Sequence, residues 1–267
     1  MDTLAQIHGA VSDLVGESVK RPPGTLSGHA AGLPFEKLVH SRLVKALPDR
    51  TFRHFELLNI VFEAHPECVT SYARRKLLGS PELQFLLQRG DAATEAWSIE
   101  NQFVEKQNDT AETVILPQEG WRVETHNGVP VTLVDVKTQN TSLKAQPPNI
   151  ISAKKLVKAC RLAIDHKSEQ PFDFVYIGVK WLEKSDLLIC RDVCAVSLMR
   201  AQPSDLYINW AAATQIQFHP SELDQTYTLS ALEWCKGFIE TYTSQLERRQ
   251  EKVLAEIKDL RRFLDSH

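Results

Sequence analysis

Residues Val129 to Val136 form an apolar, β-branched run that ends in Asp135-Val136-Lys137. Such a run reads as a strand buried in a sheet. Side chains at i and i+2 of a strand point to the same face. Asp135 and Lys137 are therefore expected side by side, with Val136 turned into packing. A second short run, Thr113-Val114-Ile115-Leu116, lies upstream and opens directly after Glu112. It is expected to pair with the first, which would bring Glu112 towards Asp135. Between them, Trp121 to Glu124 and His126-Asn127-Gly128 give a hairpin signal, since Asn-Gly suits a tight two-residue turn.

Around this centre the periodicity changes. Residues 3 to 105 read as mostly helical, with Pro34 at a first helical position followed by Phe35, Leu38, Val39, Leu43 and Leu47. Ser80-Pro81-Glu82 marks a further helix start. The stretch Lys20 to His29, rich in Pro and Gly, reads as a loop. Residues 150 to 165 look helical, whereas Phe172 to Trp181 and Leu187 to Val193 read as strands. The segment from about 229 to 265 is a long helix whose apolar positions, Cys235 through Leu264, recur at an approximate 4-3 spacing. That stripe suits packing on the same chain or a seam to a partner. This order of elements predicts an α/β (α+β) fold, a mixed sheet flanked by helices, in one domain over 1–267 with a long C-terminal helix.

Composition limits the alternatives. With 43% hydrophobic residues among 267, the chain can bury a core. No apolar stretch approaches the roughly 20 residues of a membrane span, and the first residues lack the pattern of a secretory signal. Five scattered cysteines, Cys68, Cys160, Cys190, Cys194 and Cys235, then read as reduced thiols in a cytoplasmic protein. Cys190 and Cys194 have no second ligand pair nearby, which argues against zinc. No phosphate-cradling Gly-rich loop of the P-loop type is present. A formal charge of −3 is low for a nucleic-acid binder, but it leaves room for a locally basic cleft.

Glu112, Asp135 and Lys137 suit one chemistry. Two carboxylates and a backbone carbonyl, that of Val136, make a hard oxygen site for Mg²⁺. A bound metal there would act as Lewis acid and lower the pKa of a bound water. Lys137 would orient that water and stabilise developing negative charge. Taken alone, an acid-x-lysine triplet is far more often a plain strand-end ion pair.

Longer strings carry more information. Gly24 to Gly32 and Pro34 to Val39, then Ala93 to Asn101 and Glu105 to Ala111, resemble the HincII (HindII) type II restriction endonucleases. So do Leu133 to Thr138, Pro148 to Ala153, Leu206 to Ala213 and Gln215 to His219. The resemblance covers most of residues 20 to 225. It implies a PD-(D/E)xK nuclease fold and a homodimer that cuts double-stranded DNA at a short palindrome, GTYRAC, to blunt ends with Mg²⁺. It places the catalytic acid, acid and lysine on Glu112, Asp135 and Lys137. Thr138 and the DNA-contacting segment Ala145, Gln146 and Asn149 follow, with Gln146 wedged into the base stack. Tyr207 and Asn209 join the DNA surface, Asn209 as a base reader, and Gln107 lies near the DNA.

Three departures stand out: Glu112 replaces the family's Asp, residues 118 to 130 lengthen the hairpin, and Asp91 stands where a basic residue is expected. Two other readings compete with a restriction enzyme. One is a structure-specific or repair nuclease on the same fold, and the other a non-cutting DNA-binding protein that dimerises through the terminal helix.

Overall fold

The structure is a computed structural model that describes residues 2–23, 29–48, 50–53, 113–115, 131–143, 146–165 and 172–266. Glu112, Gln107, Ala145, Asp91, the 121–128 hairpin and the helix expected after Ser80 lie outside the described residues. Elements are α1 (Thr3–Val11), β1 (Ser18–Lys20), α2 (His29–Ala46), β2 (Thr51–Arg53), β3 (Thr113–Ile115), β4 (Val131–Asn140) and β5 (Asn149–Ser152). After them come α3 (Ala153–Asp165), β6 (Phe172–Lys184), β7 (Leu187–Ser197), β8 (Tyr207–Asn209), β9 (Gln215–Gln217) and α4 (Ala231–Asp265).

Among the described residues, six strands form the main sheet in the order β1-β7-β6-β4-β3-β2. Among the described strands only β4 and β6 pair in parallel, joined by the crossover through β5 and α3; the other described neighbours are antiparallel. A parallel pair needs such a crossover because a tight turn cannot return the chain to the same end. The expected pairing of the 113–116 run with the Asp135 strand is present: Thr113 opposes Val134 and Ile115 opposes Thr132.

The sheet is covered on both faces. Val134, Val175, Ile177 and Val179 pack with Ile7 and Val11 of α1 and Phe35, Val39 and Leu43 of α2. Leu133, Phe174, Tyr176 and Val196 pack on the other face with Leu156 and Cys160 of α3 and Trp234, Cys235 and Phe238 of α4. Strand β6 is thus buried on both sides, which accounts for its unbroken apolar run.

Helix α2 starts earlier than its sequence signal. Pro34 lies inside it, five residues after His29, instead of at its first position. As the sixth residue, past the four N–H groups a helix start leaves free, proline here removes one intrahelical bond, the one to the carbonyl of residue 30. The helix approaches β4 closely at Gly32: a Cβ there would fall 2.5 Å from Thr138 Oγ1.

A second sheet, β5-β9-β8, has no counterpart in the sequence reading. Residues 150–152, expected to be helical, instead belong to β5, and α3 begins only at Ala153. Ile150, Ile208 and Ile216 bury one face of this sheet. Strands β8 and β9 join through a turn in which Gln215 N donates to Ala212 O at 3.1 Å. Both central residues, Ala213 (φ 51°) and Thr214 (φ 58°), are left-handed. Such a turn matches strand twist but normally takes Asn or Gly.

Helix α4 runs for 35 residues and opens with a capping box. Ser230 N donates to Glu233 Oε2 at 2.9 Å, and Glu233 N donates to Ser230 Oγ at 3.3 Å. Trp234, Cys235, Phe238 and Tyr242 are buried, and Trp234 Nε1 donates to Ala201 O at 2.8 Å. Arg249 stacks over Trp210 at 5.4 Å from the ring centroid, and Trp210 meets Tyr242 at 5.6 Å. Beyond that contact Val253, Ile257, Leu260 and Leu264 are exposed, so the intramolecular reading of the stripe holds for its first half. Among the described residues no helix is long and apolar enough to cross a membrane.

Candidate functional site

Alternation along β4 sets the site. Leu133, an apolar residue, anchors the α3 side of the strand, so Asp135 and Lys137 emerge on that same side. Lys137 Nζ lies 2.6 Å from Asp135 Oδ2, and both side chains are about one-quarter exposed (21% and 27%). Val134 and Val136 point to the α1–α2 side and hold the strand down.

Asp135 lines a cleft of about 190 Å³ between the two sheets, walled by Leu133, Ile150, Ile151, Ser152, Lys155, Phe174, Tyr176 and Gln215. One side is apolar and the other offers Ser152, Lys155 and Gln215. Lys155 comes from the first turn of α3, so its cation shares the cleft with the Asp135 carboxylate. Sequence reasoning did not single out Lys155, Gln215 or Tyr176. The signal was the boundary between β5 and α3, which the helical reading of 150–165 obscured.

Lys137 faces a second, smaller cavity of about 40 Å³. Gln146, Pro148, Gly178, Cys194, His219 and Pro220 are among the residues around it. Gly178 is the register partner of Lys137 in β6 and of Cys194 in β7. A Cβ on Gly178 would sit 2.9 Å from Pro220 Cβ and 3.0 Å from Cys194 Sγ. The absent side chain lets the 219–221 segment close over the strand beside Lys137.

The remaining sequence-derived candidates divide into groups. Gln146 is exposed at the rim of the smaller cavity. Asn149, Tyr207 and Asn209 lie on the second sheet, and Tyr207 is 62% exposed. Asn209 and Asn149 are connected through Gln217, a residue the sequence reading did not single out. Thr138 sits beside Gly32 of α2, while Asp135 shares its cleft with Lys155 of α3 and Lys137 lines the smaller cavity. Cys160 and Cys235 are free and buried against each other; burial pushes the Cys160 thiol well up, and the Cys235 thiol beside it adds to that shift.

The donor set fits a divalent cation in kind. Asp135 supplies a hard oxygen at an open, partly polar cleft, as a magnesium ligand requires. Among the described residues no three His, Cys, Asp or Glu side chains converge, and Asp135 is the one acid among the described residues lining this cleft. Glu112 immediately precedes Thr113, whose ladder partner Val134 immediately precedes Asp135.

A mixed sheet with an acid and a lysine two apart on a central strand is compatible with a sheet-based nuclease and also with a plain strand-end ion pair. The comparisons name the class. The model of the family described as Restriction endonuclease HincII matches residues 10–264. The type II restriction enzyme HindII of Haemophilus influenzae is 45% identical over 255 residues, covering 95% of both chains. The type II restriction enzyme HincII of Haemophilus influenzae is 44% identical with the same coverage. Among solved structures, the NlaIV restriction endonuclease overlays at a TM-score of 0.26 and 12% identity, over 61% of this chain and 73% of that one. That superposition is too loose to bear on the argument. The chain belongs to the HincII restriction endonuclease family, and its class of enzyme is the type II restriction endonuclease.

Proposed function

We propose that the chain is a Mg²⁺-dependent homodimer that cuts double-stranded DNA at a short palindrome, GTYRAC as first target, to blunt ends. The observation that carries this reading is the placement of Asp135 and Lys137, 2.6 Å apart on one face of β4, with Asp135 lining a cleft and Lys137 the smaller cavity beside it. The family resemblance supports the target and the end structure. A two-fold dimer follows from a palindrome, because identical subunits read identical half-sites.

In this reading Asp135, Glu112 and the Val136 carbonyl hold the metal. The ion would supply Lewis-acid charge neutralisation at the phosphate and a bound water of lowered pKa. Lys137, steered by its contact with Asp135, orients the attacking water and stabilises the charge that develops on the phosphoryl oxygens. Lys155, in the same cleft, adds a second cation to attract the DNA backbone. In-line attack leaves a 5′-phosphate and a 3′-hydroxyl. Gln146, stiffened by Pro147 and Pro148, wedges into the base stack, where sequence-dependent unstacking contributes selectivity. Ala145, Asn149, Tyr207 and Asn209 complete the DNA surface, with Gln107 and Thr138 near it. The setting is cytoplasmic, consistent with reduced cysteines.

The test is digestion of DNA of known sequence with Mg²⁺ and mapping of the cut ends. Discrete blunt cuts at GTYRAC are expected. Discrete cuts at another palindrome would retain the class and replace the target. Cuts confined to junctions or mismatches would replace the reading with a repair nuclease.

A further inference from the structure

The outward face of the second sheet carries three carboxamides in one hydrogen-bonded row. At one end, Asn209 Oδ1 accepts from Ala211 N at 3.0 Å and from Ala212 N at 3.2 Å. A backbone N–H is met only by the oxygen end of an amide, so these two bonds fix the way Asn209 faces. Its Nδ2 donates to Gln217 Oε1 at 3.0 Å. Gln217 Nε2 in turn donates to Asn149 Oδ1 at 2.8 Å. Each link dictates the next, and the direction of the whole row is set by the backbone of the β8–β9 turn.

The far end of the row is Asn149, which is exposed. A surface asparagine without such a partner can offer either its oxygen or its amine. Here Gln217 engages the oxygen, so the end that Asn149 offers is Nδ2, with two N–H donors. Gln217 bridges from the central strand, β9, to both neighbours: it opposes Asn149 directly and reaches Asn209 on a diagonal. The same face continues through Gln215 into the cleft that holds Asp135.

We infer that Gln217 is a positioning residue for sequence selection: it holds Asn149 with its amine outward, so that the row reads a hydrogen-bond acceptor on a base edge. This rests on the nuclease reading above. Acceptors of that kind in the major groove are purine N7, guanine O6 and thymine O4. Gln217 itself need not touch DNA.

The variant Gln217→Glu tests the inference with almost no change of shape. A carboxylate at 217 still accepts from Asn209 Nδ2, but it has no donor for Asn149. Asn149 would then turn its amine towards residue 217 and its oxygen outward, which reverses the hydrogen-bonding character of the end that faces DNA. The experiment compares cleavage by wild type and variant, with Mg²⁺, on the wild-type target and on every single-base-pair substitution of it. Thermal melting and affinity for target-free DNA are measured in parallel. The expected result is a loss of about 10–100-fold in kcat/KM on the original target, with relative rates reordered at one base pair of each half-site in favour of a donor edge. Melting stays as in wild type, while affinity for target-free DNA falls by a common factor because of the added negative charge. Unchanged relative rates, or an equal loss on every site, would overturn it.

Asn149→Asp provides a second arm should Gln217→Glu fold poorly. It keeps an oxygen for Gln217, replaces the outward amine by an acceptor, and should reorder preference at the same base pair. Reordering elsewhere, or none, would also overturn the inference. A wild-type protein that makes no discrete cuts would remove the nuclease reading, and this inference with it, an outcome distinct from a wild type that cuts discretely and a variant that selects identically.

Discussion

Lys137 Nζ lies 2.6 Å from Asp135 Oδ2, two residues away on one strand face, with a glycine, Gly178, as the lysine's neighbour across the ladder. The three positions form a unit. Strand alternation puts the acid and the lysine together, and the missing side chain on β6 lets Pro220 settle beside them.

Gly178→Ala is therefore expected to affect both stability and function. A methyl group placed 2.9 Å from Pro220 Cβ and 3.0 Å from Cys194 Sγ must displace the 219–221 segment or the strand. Overpacking of this kind costs about 1–3 kcal/mol. Urea unfolding should show that loss, and cleavage should fall more than stability alone explains, because the displaced segment lines the cavity at Lys137. A fully stable and active variant would show that the site tolerates the crowding.

Gly32 and Thr138 give a reciprocal test on the opposite face. Gly32→Ala would bring a Cβ to 2.5 Å from Thr138 Oγ1 and 3.1 Å from its Cγ2. The single variant is expected to lose about 1–3 kcal/mol. Adding Thr138→Ala removes both close atoms and should recover most of that loss, measured as a double-mutant cycle. Simple additivity would show that the two do not meet.

The turn between β8 and β9 holds an alanine in a conformation that favours glycine. Ala213→Gly relieves the left-handed strain at φ 51°, and the residue is exposed, so little packing is lost. Left-handed geometry costs an L-residue about 1–2 kcal/mol, part of which glycine returns through its freer unfolded chain. A net gain of about 0.5–1 kcal/mol is expected in chemical unfolding. A loss would show that the turn is not strained as described.

Asp173 sets a pH dependence. Burial pushes its carboxyl up, against the Ser197 hydroxyl, which donates to Asp173 Oδ1 at 2.6 Å, and against the Arg200 charge, both of which pull it down. A carboxyl raised in the folded state keeps its proton longer than in the unfolded chain. Its contribution to stability is thus most favourable below the ordinary carboxylate range. It declines as pH rises from there through the raised folded value, then levels off. Asp173→Asn should remove that decline while keeping an acceptor for Ser197. Unfolding free energies measured across the acidic range, wild type against variant, should diverge with rising pH in favour of the variant. Parallel curves would contradict the assignment.

Much of the main sheet was legible because its signals are local and repeated. The β-branched run at Thr113, the run ending at Asp135 and the long strands from Phe172 and Leu187 each form strands, extended by a few residues where pairing continues past the apolar stretch. The start of α2 was misread because Pro34 is a strong starting signal when only local chemistry is weighed. Packing of Gly32 on Thr138 carries the helix further back. The second sheet was hidden for a related reason. Each of its strands has only three or four residues, and Ile150, Ile208 and Ile216 gain their meaning from a shared core and not from sequence spacing. At the site, Asp135 and Lys137 were readable as neighbours on one face from strand period alone, while their role rests on the resemblance. Gly178, Lys155 and Gln217 were not, since each reaches the site from a strand or helix remote in the chain.

The most direct measurement is single-turnover DNA cleavage with Mg²⁺ by wild type, Lys137→Ala and Asp135→Asn, alongside thermal melting of each. The account predicts that both variants keep a cooperative fold and bind DNA, while the lysine variant loses on the order of 100–1,000-fold or more in rate and the aspartate variant cuts no faster. Cleavage by either variant at the wild-type rate, with the fold intact, would contradict the placement of the reaction at this strand end.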